Sequence, residues 1–229
     1  LKEKKEGFVS IAIDGPSGVG KTTIAKSIAE KLQYLYIDTG AMFRALSVRF
    51  QELGLDPADE AAVCAALPDI ALTIRHEEGA QHMIVNGEDV TDRLRTEDIS
   101  RIASVTSQYQ KVRSRLLEMQ RELAGTADVI MDGRDIGTVV LPQATLKIFL
   151  TARARVRAER RYKQLVKLDK LEGATLESIE KDIEERDYRD SHREIAPLKP
   201  ADDAVTIDTS DLTIAEVEAA ILDELAKRC

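Results

Sequence analysis

Gly15-Pro16-Ser17-Gly18-Val19-Gly20-Lys21-Thr22 stands between an apolar run, Phe8 to Ile13, and a helical pattern that opens at Thr22-Thr23-Ile24-Ala25-Lys26. The spacing is G-x-x-x-x-G-K-[ST], in the strand–loop–helix setting that gives it meaning. Glycines there let the backbone curl so that successive N–H groups face phosphate oxygens, and the helix N-terminus adds partial positive charge. Lys21 is placed to reach the β- and γ-phosphates of a nucleotide, and the Thr22 hydroxyl to ligate Mg²⁺. The loop thus announces an α/β protein that grips a phosphate donor. It leaves open what accepts the phosphate.

Working outward, Tyr34-Leu35-Tyr36-Ile37 reads as a second short strand ending at Asp38-Thr39-Gly40, then a helix from Ala41 towards Leu53 with Gly54 as its stop. Asp59–Leu67 reads as a short helix ended by Pro68. Ile70, Leu72 and Ile74 then alternate with smaller or polar residues, Glu78-Gly79 turns the chain, His82–Val85 returns, and Asn86-Gly87 offers another tight turn. This is a small antiparallel insert. Helical character runs from Thr96 to about Leu123. Val129–Gly133 and Leu146–Leu150 are apolar strands, Arg153–Leu171 and Leu176–Arg193 helices parted at Gly173, and Val205–Ile207 a last strand. Thr213 and Glu216 have capping-box spacing and begin the terminal helix. Strands alternating with helices predict a mostly parallel sheet covered on both faces.

The 229 residues can bury a sizeable core. No run approaches the length of a membrane span and no signal-peptide pattern opens the chain, although a start at Leu1 suggests a trimmed or incompletely recorded N-terminus. Two cysteines, Cys64 and Cys229, form neither a disulfide framework nor a zinc site. Cys64 is expected as a small core residue, and the setting as reducing cytoplasm. The net charge of −8 argues against a nucleic-acid polymer as partner. Positive charge is concentrated between Arg153 and Lys170, which suits a small anion gripped locally. His76 and His82 flank the first turn of the insert, and without a third ligand they read as surface residues.

Asp132 ends an apolar strand, where a carboxylate would either hold Mg²⁺, directly or through water, or simply start the turn before Gly133; pairing with the phosphate loop favours the metal. Arg134 and Asp135 follow at once in Asp132-Gly133-Arg134-Asp135-Ile136-Gly137-Thr138. They are expected beyond the carboxyl end of the strand, in the same crevice as the phosphate loop. Arginine suits bidentate phosphate recognition; a carboxylate suits an amino-bearing base edge or a hydroxyl. Arg153, Arg157, Arg160 and Arg161 share one side of a helix, with Val156 and Leu165 for packing. Like charges so spaced cost about 0.2–0.5 kcal/mol per pair. A transferring phosphoryl group would turn that repulsion into attraction. On the next helix an apolar stripe, Ile179 and Ile183, turns ionic at Arg186, Asp190 and Arg193, as it should on entering a polar cleft. An internal Arg186–Asp190 pair would explain two of those three.

Four segments together resemble bacterial cytidylate kinases: Asp14–Lys21, Asp38-Thr39-Gly40-Ala41-Met42-Phe43-Arg44, Asp132–Thr138, and Arg186-Asp187-Tyr188-Arg189-Asp190-Ser191-His192-Arg193. The likeness runs from about Phe8 to the terminal helix. It implies a P-loop NTPase-like, three-layer α/β fold with a central five-stranded parallel sheet, a small antiparallel insert in the acceptor region and a short helical lid. Within one kinase unit the core would be 8–38, 124–152 and 194–229, the acceptor region 39–123, and the lid with its flanking helices 153–193. The implied reaction is Mg²⁺-dependent transfer of the ATP γ-phosphoryl group to CMP or dCMP, in pyrimidine nucleotide metabolism, by a monomer.

By the same likeness Gly15, Pro16, Ser17, Gly18, Val19, Gly20, Lys21, Thr22 and Thr23 would bind ATP, and Thr22 and Asp132 the metal. Arg44, Arg134 and Arg193 would hold the acceptor phosphate. Ser104, Arg113 and Asp135 would read cytosine, with Thr39 close by, while Arg186 and Asp190 would contact the ribose. Arg157, Arg160 and Arg161 would neutralise the transferring group beside Lys21. Thr39 stands where many members have Ser, and Thr22 where some have Gly; both carry a hydroxyl. The rival readings are a kinase for uridylate, adenylate or a non-nucleotide alcohol, with Asp38 as base for the alcohol, and a nucleotide-dependent switch. A switch wants a guanine-reading Asn-Lys-x-Asp segment, which the sequence lacks.

Overall fold

The computed structural model describes residues 7–77, 80–171 and 173–228; the Glu78-Gly79 turn and Cys229 lie outside the described residues. In order the elements are β1 (Ser10–Asp14), α1 (Lys21–Leu32), β2 (Leu35–Asp38), α2 (Thr39–Glu52), α3 (Glu60–Ala66), β3 (Leu72–Glu77), β4 (Ala80–Val85) and β5 (Glu88–Asp89). They continue as α4 (Glu97–Thr106), α5 (Gln110–Ala124), β6 (Val129–Gly133), β7 (Leu146–Thr151), α6 (Ala154–Lys167), α7 (Leu176–His192), β8 (Val205–Asp208) and α8 (Ile214–Ala226). The chain divides into two compact units, Leu1–Leu35 with Ala127–Cys229, and Tyr36–Thr126.

Five strands form a parallel sheet in the order β2-β6-β1-β7-β8. Ile11, Ala12 and Ile13 of β1 and Val129, Ile130 and Met131 of β6 have no exposed surface, as parallel strands covered on both faces require. The chain leaves β1 towards β2 on one side and leaves β6 towards β7 on the other. The carboxyl ends of the neighbours β1 and β6 are therefore the topological switch point, where α/β sheets leave a crevice for ligands. Register sets Ile13 beside Asp132 and Asp14 beside Gly133. The phosphate loop and the Asp132–Thr138 segment thus start from adjacent strand ends.

In the same unit α6 and α7 pack through a cluster of their own: Ala158, Leu165, Ile179 and Ile183. Val156, expected in that packing face, is only half-buried, and Ala158 takes its place. Gly173, at φ +80°, separates the two helices as anticipated. A capping box joins Thr175 to Ser178 at the start of α7, and a second joins Thr213 to Glu216 at the start of α8.

The other unit carries the antiparallel sheet β3-β4-β5. Asn86 and Gly87 both have positive φ in the turn from β4 to β5, the backbone that a two-residue hairpin prefers. The helical character expected from Thr96 to about Leu123 is divided between two helices, α4 and α5. Thr106 and Ser107 bond their hydroxyls back to the carbonyls of Ile102 and Ser104, at 3.0 and 3.2 Å, and such bonds compete with the helical ladder. The Tyr109 hydroxyl then ties the break to the Pro57 carbonyl at 2.7 Å.

Candidate active site

The phosphate loop is held against the sheet by its first glycine. A Cβ at Gly15 would lie 2.1 Å from the Leu150 carbonyl oxygen of β7, so no larger residue fits. Gly20 caps α1 in the left-handed conformation at φ 95°. The Lys21 ammonium donates to the carbonyls of Gly15 and Pro16, at 2.8 and 2.6 Å. Burial, and then the nearby Arg134 charge, hold its pKa well below the usual lysine range, with Asp132 and Asp14 opposing. The Thr22 hydroxyl donates to Asp132 at 3.0 Å. No group of three or more His, Cys, Asp or Glu among the described residues is arranged to hold a metal. A hydroxyl and one carboxylate do fit Mg²⁺, a hard cation that takes few protein ligands and shares substrate phosphates.

The end of β6 carries the next layer. Arg134 donates to Asp190 of α7 at 2.9 Å, and the buried Arg193 lies 3.6 Å from the buried Asp135. Arg193 also donates to the Ala196 carbonyl at 2.6 Å. Burial alone would raise Asp190, but the charges of Arg134, Arg186 and Arg193 outweigh it and hold the carboxyl below its ordinary range. The ionic stretch of α7 is thus partnered largely by the β6 segment, beyond the internal pair anticipated within α7. Three arginines and two carboxylates gather beside the phosphate loop in one unit.

Sequence reasoning passed over Asp14. This last residue of β1 accepts hydrogen bonds from the N–H groups of Ile136 and Gly137, at 2.8 and 2.7 Å. Those groups open a wide turn over Ile136–Val140, closed by the Leu141 N–H to the Ile136 carbonyl at 2.7 Å. Burial pushes the Asp14 carboxyl up to about 6, against the two backbone bonds. The available signal was a carboxylate ending an otherwise apolar strand.

The arginines of α6 spread further than a shared face implies. Arg157 is buried and donates to the carbonyls of Ala152, at 2.9 Å, and Ser17, at 3.1 Å, and to Asp187 at 2.5 Å. Arg160 donates to the Thr209 carbonyl at 2.6 Å. Arg161 reaches Gln164 on its own helix at 3.2 Å, and Arg153 forks onto Asp211. The partners that surround each position, not helix spacing, decide where each guanidinium goes. Asp187 is a second residue missed from the sequence.

In the other unit Asp38 caps α2 by accepting from the Ala41 N–H at 2.7 Å and pairs with Arg44 at 3.0 Å. Thr39 is buried at the first position of α2. Arg113 lies over the Phe43 ring at 5.7 Å and donates to the Ser107 carbonyl at 3.1 Å; Ser104 is half-buried on α4. His76 contacts the Tyr36 carbonyl and His82 the Asp89 carboxylate, so each histidine has its own partner. Cys64 is half-buried on α3 rather than part of the core. Among the described residues no helix is long and apolar enough to cross a membrane.

With this geometry in view, comparison with known proteins is informative over the whole chain. The family model for cytidylate kinase matches residues 11–227. A cytidylate kinase of Lactobacillus johnsonii is 47% identical over 228 residues, covering 98% of each chain. One from Lactobacillus gasseri is 46% identical over 229 residues, covering 100% of this chain and 99% of its own. Among solved structures, an uncharacterized protein from Eubacterium ventriosum superposes with a TM-score of 0.51 at 13% identity, over 96% of this chain and 99% of that one. That last likeness speaks for the fold alone.

Proposed function

The chain belongs to the cytidylate kinase family, and from that premise we propose how its residues work. It is a nucleoside monophosphate kinase that uses ATP to phosphorylate CMP or dCMP, giving CDP or dCDP and ADP. The observation that carries the assignment of roles is the gathering of Arg134, Arg186, Arg193, Asp135 and Asp190 beside the phosphate loop. An attacking phosphate is already ionised, so no general base is needed. Catalysis then rests on positioning and on neutralising charge as it develops.

On this proposal residues Gly15 to Thr23 wrap the ATP phosphates, with Lys21 at the β- and γ-phosphates. Thr22 and, through water, Asp132 hold Mg²⁺, which when bound supplies charge neutralisation at the phosphate oxygens. Arg44, Arg134 and Arg193 take the acceptor phosphate. Asp135, Ser104 and Arg113 read the cytosine edge with Thr39 beside them, and Arg186 and Asp190 the ribose. Arg157 and Arg160 exchange the carbonyls of Ser17 and Thr209 for oxygens of the transferring group, and Arg161 joins them. The segment 153–193 serves as lid and 39–123 as acceptor region, and closure excludes water from the reaction. A monomer working in the cytoplasm completes the proposal.

The test is ADP release from ATP and Mg²⁺ against CMP, dCMP, UMP, AMP and no acceptor. Strong stimulation by CMP and dCMP is expected. A rate equal with and without every monophosphate would overturn the reading in favour of a plain ATPase, and UMP or AMP in the lead would move the acceptor class.

A further inference from the structure

We propose that Asp14 is a positioning residue that fixes the acceptor-reading segment, Arg134 to Gly137, to the root of the phosphate loop. The inference rests on the proposed roles of Arg134 and Asp135. Asp14 is 4% exposed, and each of its oxygens accepts one backbone N–H, from Ile136 and from Gly137. These donors begin a helical turn, where N–H groups have no partner within the turn itself. Asp135 immediately precedes Ile136, and its backbone, at φ −145° and ψ 27°, belongs to no regular helix. The carbonyl of the Asp135–Ile136 peptide accepts from the Val139 and Val140 N–H groups, at 2.9 and 3.2 Å, while its N–H goes to Asp14, so Asp14 holds the peptide beside Asp135 from the side that the turn leaves unbonded. The two bonds to Asp14 fix the peptide next to it, and with it the 3.6 Å approach of Asp135 to Arg193.

The residue type supports the same role. A carboxylate buried at a strand end is costly unless its acceptor capacity is used. Asparagine would bring one acceptor and two donors to a place that presents two N–H groups, leaving one donor facing another. The far side of the turn is equally constrained. A Cβ on Gly137 would lie 3.4 Å from Asp14 Oδ2 and 3.2 Å from Lys147 Cδ. Lys147 cannot readily retreat, because its ammonium is tied to the Pro142 carbonyl at 2.6 Å and to Asp203 at 2.8 Å. The turn is thus clamped between a carboxylate and a lysine stem, and a Cβ on Gly137 would press on both.

The test compares the wild-type chain with Asp14→Asn and Gly137→Ala. It uses calorimetric Kd values for CMP and for ATP, melting temperature, and amide hydrogen exchange at Ile136 and Gly137. In both variants CMP binding is expected to weaken about tenfold, the loss of roughly one hydrogen bond's worth of positioning, while ATP binding changes less than about twofold. Exchange at the two amides should speed up in both. Equal weakening of ATP and CMP, or a lowered melting temperature with both Kd values intact, would overturn the proposal. Failure of the wild type itself to bind CMP would instead overturn the functional reading. Gly137→Ala keeps the Asp14 charge, so it separates positioning from any electrostatic effect on Lys21.

Discussion

Lys21 shows how a bound phosphate must change the loop that holds it. Its ammonium donates to two carbonyls of its own loop, yet burial first and the Arg134 charge next hold its proton weakly. Bringing ATP phosphates to it reverses the sign of its surroundings and raises its pKa. The direction follows: above the lowered pKa of the free protein some Lys21 is neutral, and ATP must draw a proton onto it. Calorimetric titration with ATP in two buffers of different ionisation enthalpy should therefore report proton uptake at alkaline pH, fading as pH falls. Lys21→Ala should abolish the uptake and cut turnover by about a hundredfold or more. An ATP enthalpy independent of buffer across that range would refute the weak hold on the proton. The phosphate loop was readable from sequence because only small residues and one lysine satisfy it. Asp14 was not, because its partners lie 122 and 123 residues further along the chain, and no local pattern marks backbone N–H groups as donors in need. The α6 arginines were half readable: spacing gave the helix, but the buried course of Arg157 to the Ser17 carbonyl depends on which tertiary partners surround it.

Elements followed the sequence where packing and propensity agree. The apolar runs of β1, β6 and β7 left no other place for themselves than a buried parallel sheet, and the capping box at Thr213 formed as spelled. The break between α4 and α5 escaped notice because it is made by hydroxyl-to-carbonyl bonds inside a sequence of ordinary helical periodicity. The α6–α7 pair has a consequence of its own. Its cluster of Ala158, Leu165, Ile179 and Ile183 is separate from the sheet, and a cap at Thr175 starts its second helix. Ile183→Ala should cost about 2–5 kcal/mol locally, by lost burial and an unfilled cavity. Most of that loss should appear as local opening. Hydrogen exchange should accelerate across α6 and α7 while the amides of β1, β6 and β7 keep their wild-type protection. Uniform acceleration through the sheet would mean that the pair is one cooperative body with it.

At the scale of the molecule, an acidic chain assembles its cationic groups in two units by different means. One unit brings Lys21, Arg134, Arg186 and Arg193 to the ends of β1 and β6; the other keeps Arg44 against Asp38 and Arg113 against Phe43. The proposed donor contacts belong to the first unit alone, whereas the proposed acceptor contacts draw on both. Ligand-induced stabilisation separates the two. A ligand at a hundred times its Kd adds about 2.7 kcal/mol of stability. For a protein of this size each kcal/mol moves Tm by about 2–4 °C, so shifts of roughly 5–10 °C are expected with either ligand. Lys21→Ala should lose the ATP shift and keep the CMP shift. Asp135→Ala, in the first unit, and Arg44→Ala, in the second, should do the reverse. The Arg44 variant is the decisive one, because Arg44 makes an ion pair within its own unit and could be there for that alone. If Arg44→Ala lowers the melting temperature of the free protein but leaves the CMP shift at its wild-type size, Arg44 is a partner for Asp38 and nothing more. If the CMP shift disappears while the ATP shift stands, the second unit contributes directly to acceptor binding.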